Sequence, residues 1–582
     1  MTQSTSAFPD SPPLSPAARL LWLLLILSTF YLCYFHNLGA IGLVGPDEPR
    51  YAWIARDMQE TGDWITPRLY GQPWFEKPPL YYWGAALSFK LFGVSETAAR
   101  LPSAISALLA TLALSWLALR LYGAETARWL LLLLPTTVGM IGFSHAAATD
   151  MPFAATLTIA LVFAAHLLGI ISKSSEVQPS SRSPLFSFTS LTSSTSFTST
   201  LFGVFLGLAT LAKGPAAIIL SGGAVLLWAF FTKRWRDAFR CLHPIAIATF
   251  CLTALPWYIL CARRNPDFFR VFIIEHNFKR FLTPEFQHLQ PFWYYLPITL
   301  LAVSPWIFFL VLAKLQIITT WKQRIPIGFA EIFFLSWAGF TFLFFTISKS
   351  KLPGYIMPGI PPLVLLLANT VATHLKDTSR SSRWPLLATG LAFLALGVAL
   401  QREAAKIPAL LCVSPACGIT RIWAVAACGG VITGLLAATR RLRISLFAAV
   451  ITVLFLVVEI DRFLPNLDPE VSARDAIRTV THVWPDFSAR NAATWQLNRS
   501  FGYQLDYYTR EEIRTWKAGD PRPTWVFVPK GKQQAVAGFG FRCVNFAVDP
   551  AIIPCRDDVL FRGLGGSNGN GSTNNLSNRQ PR

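Results

Sequence analysis

Charge is scarce in this chain. Of its 582 residues only 14% are Asp, Glu, Lys or Arg, while 53% are hydrophobic. That balance excludes an ordinary soluble globular protein, in which about a quarter of the residues are charged. The sequence also lacks a Walker loop, a dinucleotide fingerprint and the Cys/His spacing of a zinc site. No small-residue cleavage site follows the first apolar run, Leu20–Tyr34, and Gly42–Arg50 reads as a loop, so the run is expected to remain as a first membrane span. No repeat of one half of the chain in the other is visible.

What is abundant is apolar sequence in runs approaching the roughly 20 residues that cross a bilayer as a helix. About thirteen such segments stand out by hydropathy, near 18–40, 98–121, 126–144, 151–171, 200–213, 215–231, 243–262, 292–313, 328–347, 354–374, 384–400, 421–438 and 443–460. One set of connections is short and basic: Lys233, Arg234, Arg236 and Arg240; Lys314, Lys322 and Arg324; Lys376, Arg380 and Arg383; Arg440, Arg441 and Arg443. Basic loops stay in the cytoplasm, so the N-terminal tail 1–17 is expected inside and the chain after the last span outside. The same rule accounts for the net charge of +20 without invoking nucleic acid. The alternation holds only if 202–231 is two short spans joined by an outer Lys213-Gly214-Pro215 turn, since Gly and Pro break helices.

The membrane domain is therefore expected over 18–460, with a long outer loop at 41–97. The Ser/Thr-rich stretch 172–199 reads as a flexible cytoplasmic loop. The more polar 461–562, with strand-like runs at Thr524–Val528 and Val544–Val548, reads as a small external α/β domain, and the Gly/Asn/Ser-rich 563–582 as a disordered tail. Cys412 with Cys417, and Cys543 with Cys555, share external segments and are candidate disulfides.

The outer loops collect the unusual polar residues. The first opens with Asp47-Glu48-Pro49-Arg50-Tyr51, after which Tyr51, Ile54, Ala55 and Met58 have helical spacing. That pattern describes an amphipathic helix in the membrane interface holding Asp47 near the surface; the bland reading is that Asp47 merely caps the helix. Glu76 and Lys77 follow in an aromatic, proline-rich stretch, where Tyr81, Tyr82 and Trp83 read as an interfacial belt. Further outer loops bring His145 and Asp150, then Lys213, then Glu275-His276 with Lys279 and Arg280, then Lys349, Lys351 and Tyr355. A lysine at the depth of Lys213 is costly unless it is paired, hydrated or snorkels to the interface. A phosphate leaving group needs cations and a sugar acceptor can need a carboxylate base.

Taken in order, Asp47-Glu48-Pro49-Arg50-Tyr51-Ala52, Gly62-Asp63-Trp64, Phe75-Glu76-Lys77-Pro78-Pro79 and Ser350-Lys351-Leu352-Pro353-Gly354-Tyr355 resemble the bacterial aminoarabinose–lipid A transferases and, more distantly, the protein O-mannosyltransferases, both of the GT-C superfamily. Thr149-Asp150-Met151-Pro152, Lys213-Gly214-Pro215 and Glu275-His276 also look like family positions. The resemblance covers most of 41–370 and implies an all-α polytopic GT-C fold of the bacterial inner membrane with a small periplasmic α/β C-terminal domain. It further implies an inverting transfer, on the periplasmic face, from a polyprenyl-phosphate sugar donor to lipid A, another glycolipid or a protein. On it, Asp47 matches the catalytic aspartate, with Glu48 beside it. Arg50, Tyr51, Lys77, Lys213, Lys351 and Tyr355 fall to the donor phosphate and lipid, and Glu76, Asp150, Glu275 and His276 to the acceptor or to support. No cofactor is required; Glu76 and His276 are a candidate pair for a divalent metal, but two ligands are too few to define a site. The region 461–582 matches weakly, which leaves the acceptor open.

Two other classes compete. A transporter or flippase for a lipid-linked sugar also needs many spans, but tends to place its polar groups midway along broken helices of two repeated halves. A binding or scaffold protein would keep the fold and lose the chemistry, which an intact Asp47 argues against. The topology is directly testable: with Asp520→Cys, an impermeant thiol reagent should label the protein in intact cells, and labelling only after lysis would invert the arrangement.

Overall fold

A computed structural model of the chain describes residues 15–171, 195–279, 289–322, 327–376, 382–404, 418–544 and 550–557. Most of the N-terminal tail, the segment 172–194, the Cys412/Cys417 pair and the tail after 557 lie outside the described residues. Residues 195–199, expected to be loop, form the start of the helix Thr195–Lys213.

Among the described residues, ten helices are long and apolar enough to cross a membrane. Two bent pairs pass the same test together, Ala124–Leu133 with Val138–Ser144 (59°) and Tyr295–Val303 with Ile307–Ala313 (106°), and Ala216–Thr232 is a shorter apolar helix. Each apolar segment expected from the sequence corresponds to one of these. The expected number of spans is reached only when both bent pairs and the short helix cross.

The two bends interlock. A broken helix leaves backbone N–H and C=O groups that lipid cannot satisfy. Here the indole of Trp306, at one break, donates to the Leu133 carbonyl and to Thr136 Oγ1 at the other, both at 3.1 Å. The Val138 amide in turn donates to the Ser304 carbonyl at 3.0 Å. Elsewhere small residues allow close helix approach: a Cβ on Gly390 would lie 2.7 Å from the Gly430 carbonyl, and one on Gly430 2.5 Å from the Gly390 carbonyl. Between Thr195–Lys213 and Ala216–Thr232 the chain reverses at Gly214, whose φ of +73° suits glycine; the expected turn is there.

Among the described residues the basic connections gather at one end of the bundle, with Arg443 paired to Glu125 at 3.0 Å and Arg234 to Asp237 at 2.6 Å. The first loop and the C-terminal domain occupy the other. In that loop the helix Asp47–Thr61 buries Tyr51, Ile54, Ala55 and Met58 as the spacing predicts. Its apolar face packs on protein, the helices Leu80–Phe92 and Arg499–Thr509, rather than lying in lipid as expected. Between these loop helices lies a tight hairpin of β1 (Arg68–Leu69) and β2 (Gln72–Pro73).

The C-terminal domain is a five-stranded mixed sheet of β3 (Ala492–Thr494), β4 (Arg514–Thr515), β5 (Trp525–Pro529), β6 (Phe541–Cys543) and β7 (Ile552–Asp557), in the order β4-β3-β5-β7-β6. The strand expected at Thr524–Val528 is β5, buried at its first four positions. Most of the strand expected at Val544–Val548 lies outside the described residues. The disulfide Cys543–Cys555 ties β6 to β7. No linker separates domain from bundle: the helix Leu442–Val471 runs through the boundary expected at 460. Its end is anchored by Asp468, 1% exposed, which accepts from the Gly42 amide at 2.6 Å and pairs with Arg474 at 2.8 Å. Arg474 also donates to the Gly39 and Ala40 carbonyls at 3.0 and 3.1 Å. Arg474→Ala would leave Asp468 buried and unpaired, a change that typically costs about 3–5 kcal/mol. It should lower the unfolding temperature and speed proteolytic release of the domain; an unchanged cleavage rate would show that the domain is held elsewhere.

Candidate functional site

Asp47 does not cap its helix. The N-cap is Pro46, with no side-chain cap bond, and Asp47 occupies the first helical position with its side chain 46% exposed and paired to Arg50 one turn on. The Arg50 guanidinium is only 5% exposed and reaches Glu76 at 2.9 Å; Glu76 lies 3.9 Å from the Lys77 ammonium. Burial pulls the Arg50 pKa down, but Glu76, Tyr51 and Asp47 outweigh it and hold the guanidinium above its ordinary value. The Tyr51, Trp74 and Tyr503 rings each lie 5.4 Å from its central carbon. Around this centre three buried polar atoms, Arg50 Nε, Trp74 Nε1 and the Tyr82 hydroxyl, have no hydrogen-bond partner among the described residues. A buried donor left unpaired costs about 1–3 kcal/mol, so the cluster is built to receive something polar.

Glu48, expected beside Asp47 in a catalytic role, is committed differently. It is buried, pairs with Arg100 at 2.7 Å, and accepts from the backbone amides of Val44 at 2.8 Å and Ala147 at 2.7 Å. Both oxygens are filled by groups that hold the loop, which is a positioning role. Tyr81 and Tyr82, read from sequence as an interfacial belt, are fully buried, and Tyr81 donates to the Ala99 carbonyl at 2.9 Å. Trp83 is half-buried and donates to the Trp64 carbonyl at 2.8 Å.

A second polar group joins three loops distant in sequence. Lys213 Nζ meets Asp150 Oδ1 at 2.5 Å and lies 4.7 Å from the Tyr355 ring. The lysine is thus paired, not snorkelling. Gly354 is required here by space: a Cβ would stand 2.5 Å from Asp150 Oδ1. Lys351 is buried and donates to the Ser348 carbonyl at 2.7 Å; burial, then the neighbouring Lys349, lowers its pKa. The two groups share one end of the bundle: Glu48 binds Ala147, three residues before Asp150, and Phe75 packs in one apolar cluster with Leu211.

Phe268 and Phe272 belong to that cluster too, bringing up the π-helix Arg270–Lys279 that carries Glu275 and His276. Glu275 pairs with Arg270 at 2.7 Å at the surface. Lys279 is exposed, and Arg280 lies outside the described residues. His145 is a packing residue, its ring nitrogens at hydrogen-bonding distance from the Ile141 and His36 carbonyls. Among the described residues no group of three or more His, Cys, Asp or Glu could hold a metal ion, and Glu76 already serves two cations. No step is drawn through a metal on Glu76 and His276. Sequence reasoning missed Arg100, Trp74, Tyr82 and Tyr503. A hint existed for Arg100 alone, an arginine at the mouth of an apolar span.

The fold has counterparts among solved membrane-protein structures. It matches the crystal structure of ArnT from Cupriavidus metallidurans bound to undecaprenyl phosphate, with a TM-score of 0.69 over 94% of this chain and 98% of that one, at 22% identity. It also matches the Archaeoglobus fulgidus oligosaccharyltransferase, with a TM-score of 0.50 over 86% of this chain and 65% of that one, at 13% identity. Residues 19–272 match the family model described as dolichyl-phosphate-mannose-protein mannosyltransferase. In sequence the chain is similar to the undecaprenyl phosphate-alpha-4-amino-4-deoxy-L-arabinose arabinosyl transferase of Edwardsiella ictaluri, 34% identical over 61% of this chain and 60% of that protein. The Pseudomonas aeruginosa protein of the same name is 33% identical over 64% of each. The chain thus matches about three fifths of the length of these relatives.

The Asp150–Lys213 pair predicts non-additive stability. Asp150→Asn and Lys213→Met should each destabilise the protein, and the double variant should lose less than the sum of the two, because a lone buried charge is worse than none. Additive losses in thermal unfolding would mean that the two groups do not interact.

Proposed function

We propose that this chain is an inverting glycosyltransferase of the bacterial inner membrane, moving a sugar from a polyprenyl-phosphate carrier to lipid A or a similar acceptor on the periplasmic face. The observation that carries the reading is the exposed Asp47 carboxylate, fixed by a buried arginine amid polar atoms that have no internal partner. The acceptor oxygen attacks the anomeric carbon from the face opposite the carrier. The bond from that carbon to the phosphate oxygen breaks, and the electron pair leaves with the polyprenyl phosphate. Lys77, Lys213 and Lys351, with Tyr355, are the groups assigned to the charge building on that leaving phosphate. Arg50 and Tyr51 shape the Asp47 side, and Asp150 holds Lys213 in place.

The role of Asp47 depends on the acceptor. Toward a hydroxyl it takes the proton; toward a phosphate, already ionised at neutral pH, it orients the attacking group. Glu48 acts through the loop it anchors, and Glu76 through Arg50. Glu275 and His276, on the helix whose Phe272 packs with Phe75, are assigned to the acceptor or to support. A flippase is disfavoured because the polar groups cluster at one end of the bundle, not midway along it.

Asp47→Asn should lower the unfolding temperature little, since the side chain caps nothing and the buried Arg50 keeps Glu76, and should cut transfer by on the order of 10²–10⁴-fold for a hydroxyl acceptor, less for a phosphate. Lys77→Ala should reduce donor use far more than Lys233→Ala at matched expression. Asp47→Asn activity within about twofold of wild type would make Asp47 a structural residue.

A further inference from the structure

The helix Arg499–Thr509 of the C-terminal domain reaches the Asp47 centre. Tyr503 lies over Arg50, its ring 5.4 Å from the guanidinium carbon. Arg499 lies 5.2 Å from the same ring and donates to the Tyr503 hydroxyl through Nε at 3.2 Å and Nη2 at 3.0 Å. One neutral ring is therefore shared by two guanidinium groups of unequal status. Arg50 is buried and compensated by Asp47 and Glu76. Arg499 is exposed, and among the described residues no carboxylate pairs with it. Two of its five N–H donors are used on a neutral partner, leaving three for an anion. It also stands at the first position of its helix, after the N-cap Asn498, where the helix dipole favours negative charge.

We propose that Arg499, set by Tyr503, is a specificity-determining residue that recognises an anionic group, a phosphate, on the acceptor. The inference rests on the transferase reading and deepens it: the donor phosphate falls to the lysines of the membrane domain, whereas Arg499 belongs to the C-terminal domain and meets Arg50 through Tyr503. The carboxylates of Asp47 and Glu76 would otherwise repel an anionic acceptor, and Arg499 supplies the uncompensated positive charge that admits it. The acceptor is then selected by the region where resemblance to relatives is weakest.

The test is binding of bisphosphorylated lipid A to the full-length protein in detergent, alongside kinetics with donor and acceptor varied separately. Arg499→Gln keeps a side chain able to reach Tyr503 and removes the charge. It should weaken lipid A binding and raise the acceptor KM by about tenfold or more, with donor KM within about twofold of wild type. Arg499→Lys should recover part of the loss. Lys517→Gln, which removes an exposed charge from the same domain, should change nothing. With lipid A stripped of both phosphates, wild type and Arg499→Gln should bind alike. Unchanged binding of the bisphosphorylated lipid by Arg499→Gln, or an equal loss with the stripped lipid, overturns the inference. Absence of turnover by the wild type would count against the transferase reading instead, and leaves the binding comparison to decide this one.

Discussion

The site depends on one buried ion pair. Arg100, 3% exposed, sits near the start of the span Glu96–Tyr122 and donates to the carbonyls of Leu38, Ile41 and Gly42 at 2.7 to 2.9 Å as well as to Glu48. A guanidinium offers five donors in a fixed fork, and here the fork gathers the whole turn by which the chain leaves its first helix. Glu48 completes the grip by accepting from Val44 and Ala147. Asp47 is the residue before Glu48, so its backbone has little freedom left. Removing either partner would strand a charge in a dry setting, a larger loss than the pair's own net worth.

The neighbouring features extend this grip. Asp468 and Arg474 tie the C-terminal domain to the same turn at Gly39, Ala40 and Gly42. The Tyr508 hydroxyl bridges the Leu43 amide and Glu96 at 2.8 and 3.0 Å. Tyr70, beyond the helix of Asp47, donates to Asp506 of the domain at 2.5 Å. Burial pushes the Asp506 carboxyl up to about 6, against the Ile513 amide and the Tyr70 hydroxyl, whose hydrogen bonds pull it down. Membrane bundle, first loop and C-terminal domain thus meet at a single polar seam, and Asp47 opens from it.

What the sequence made legible was what a bilayer dictates. Spans must be apolar and of a set length, and basic loops must avoid crossing, so the apolar segments, the Lys213-Gly214-Pro215 reversal and the shared end of the polar loops could be read directly. Three-dimensional pairing could not. Asp150 and Lys213 are 63 residues apart and nothing local marks them as partners. Adjacent carboxylates look alike in sequence, yet Asp47 faces out while Glu48 is filled by Arg100; only burial separates their roles. The two bends escaped notice because hydropathy averages across a break whose freed backbone groups are satisfied by another segment. Tyr503 was invisible because it lies in a region without motif, and its meaning comes only from the ring's place over Arg50. The end of the last span was misjudged because polarity begins near 460 although the helix does not stop there.

That continuous helix, Leu442–Val471, has a mechanical consequence. An α-helix turns about 100° and rises about 1.5 Å with each residue. A single residue gained or lost between the membrane and Asp468 would therefore rotate the outer domain by more than a quarter turn and withdraw both Arg474 and Tyr503 from their partners. The length of this stretch is set by phase as well as by distance. An insertion there would be tolerated best in units near a whole number of helical turns, so a stretch that touches no substrate is nonetheless constrained in length.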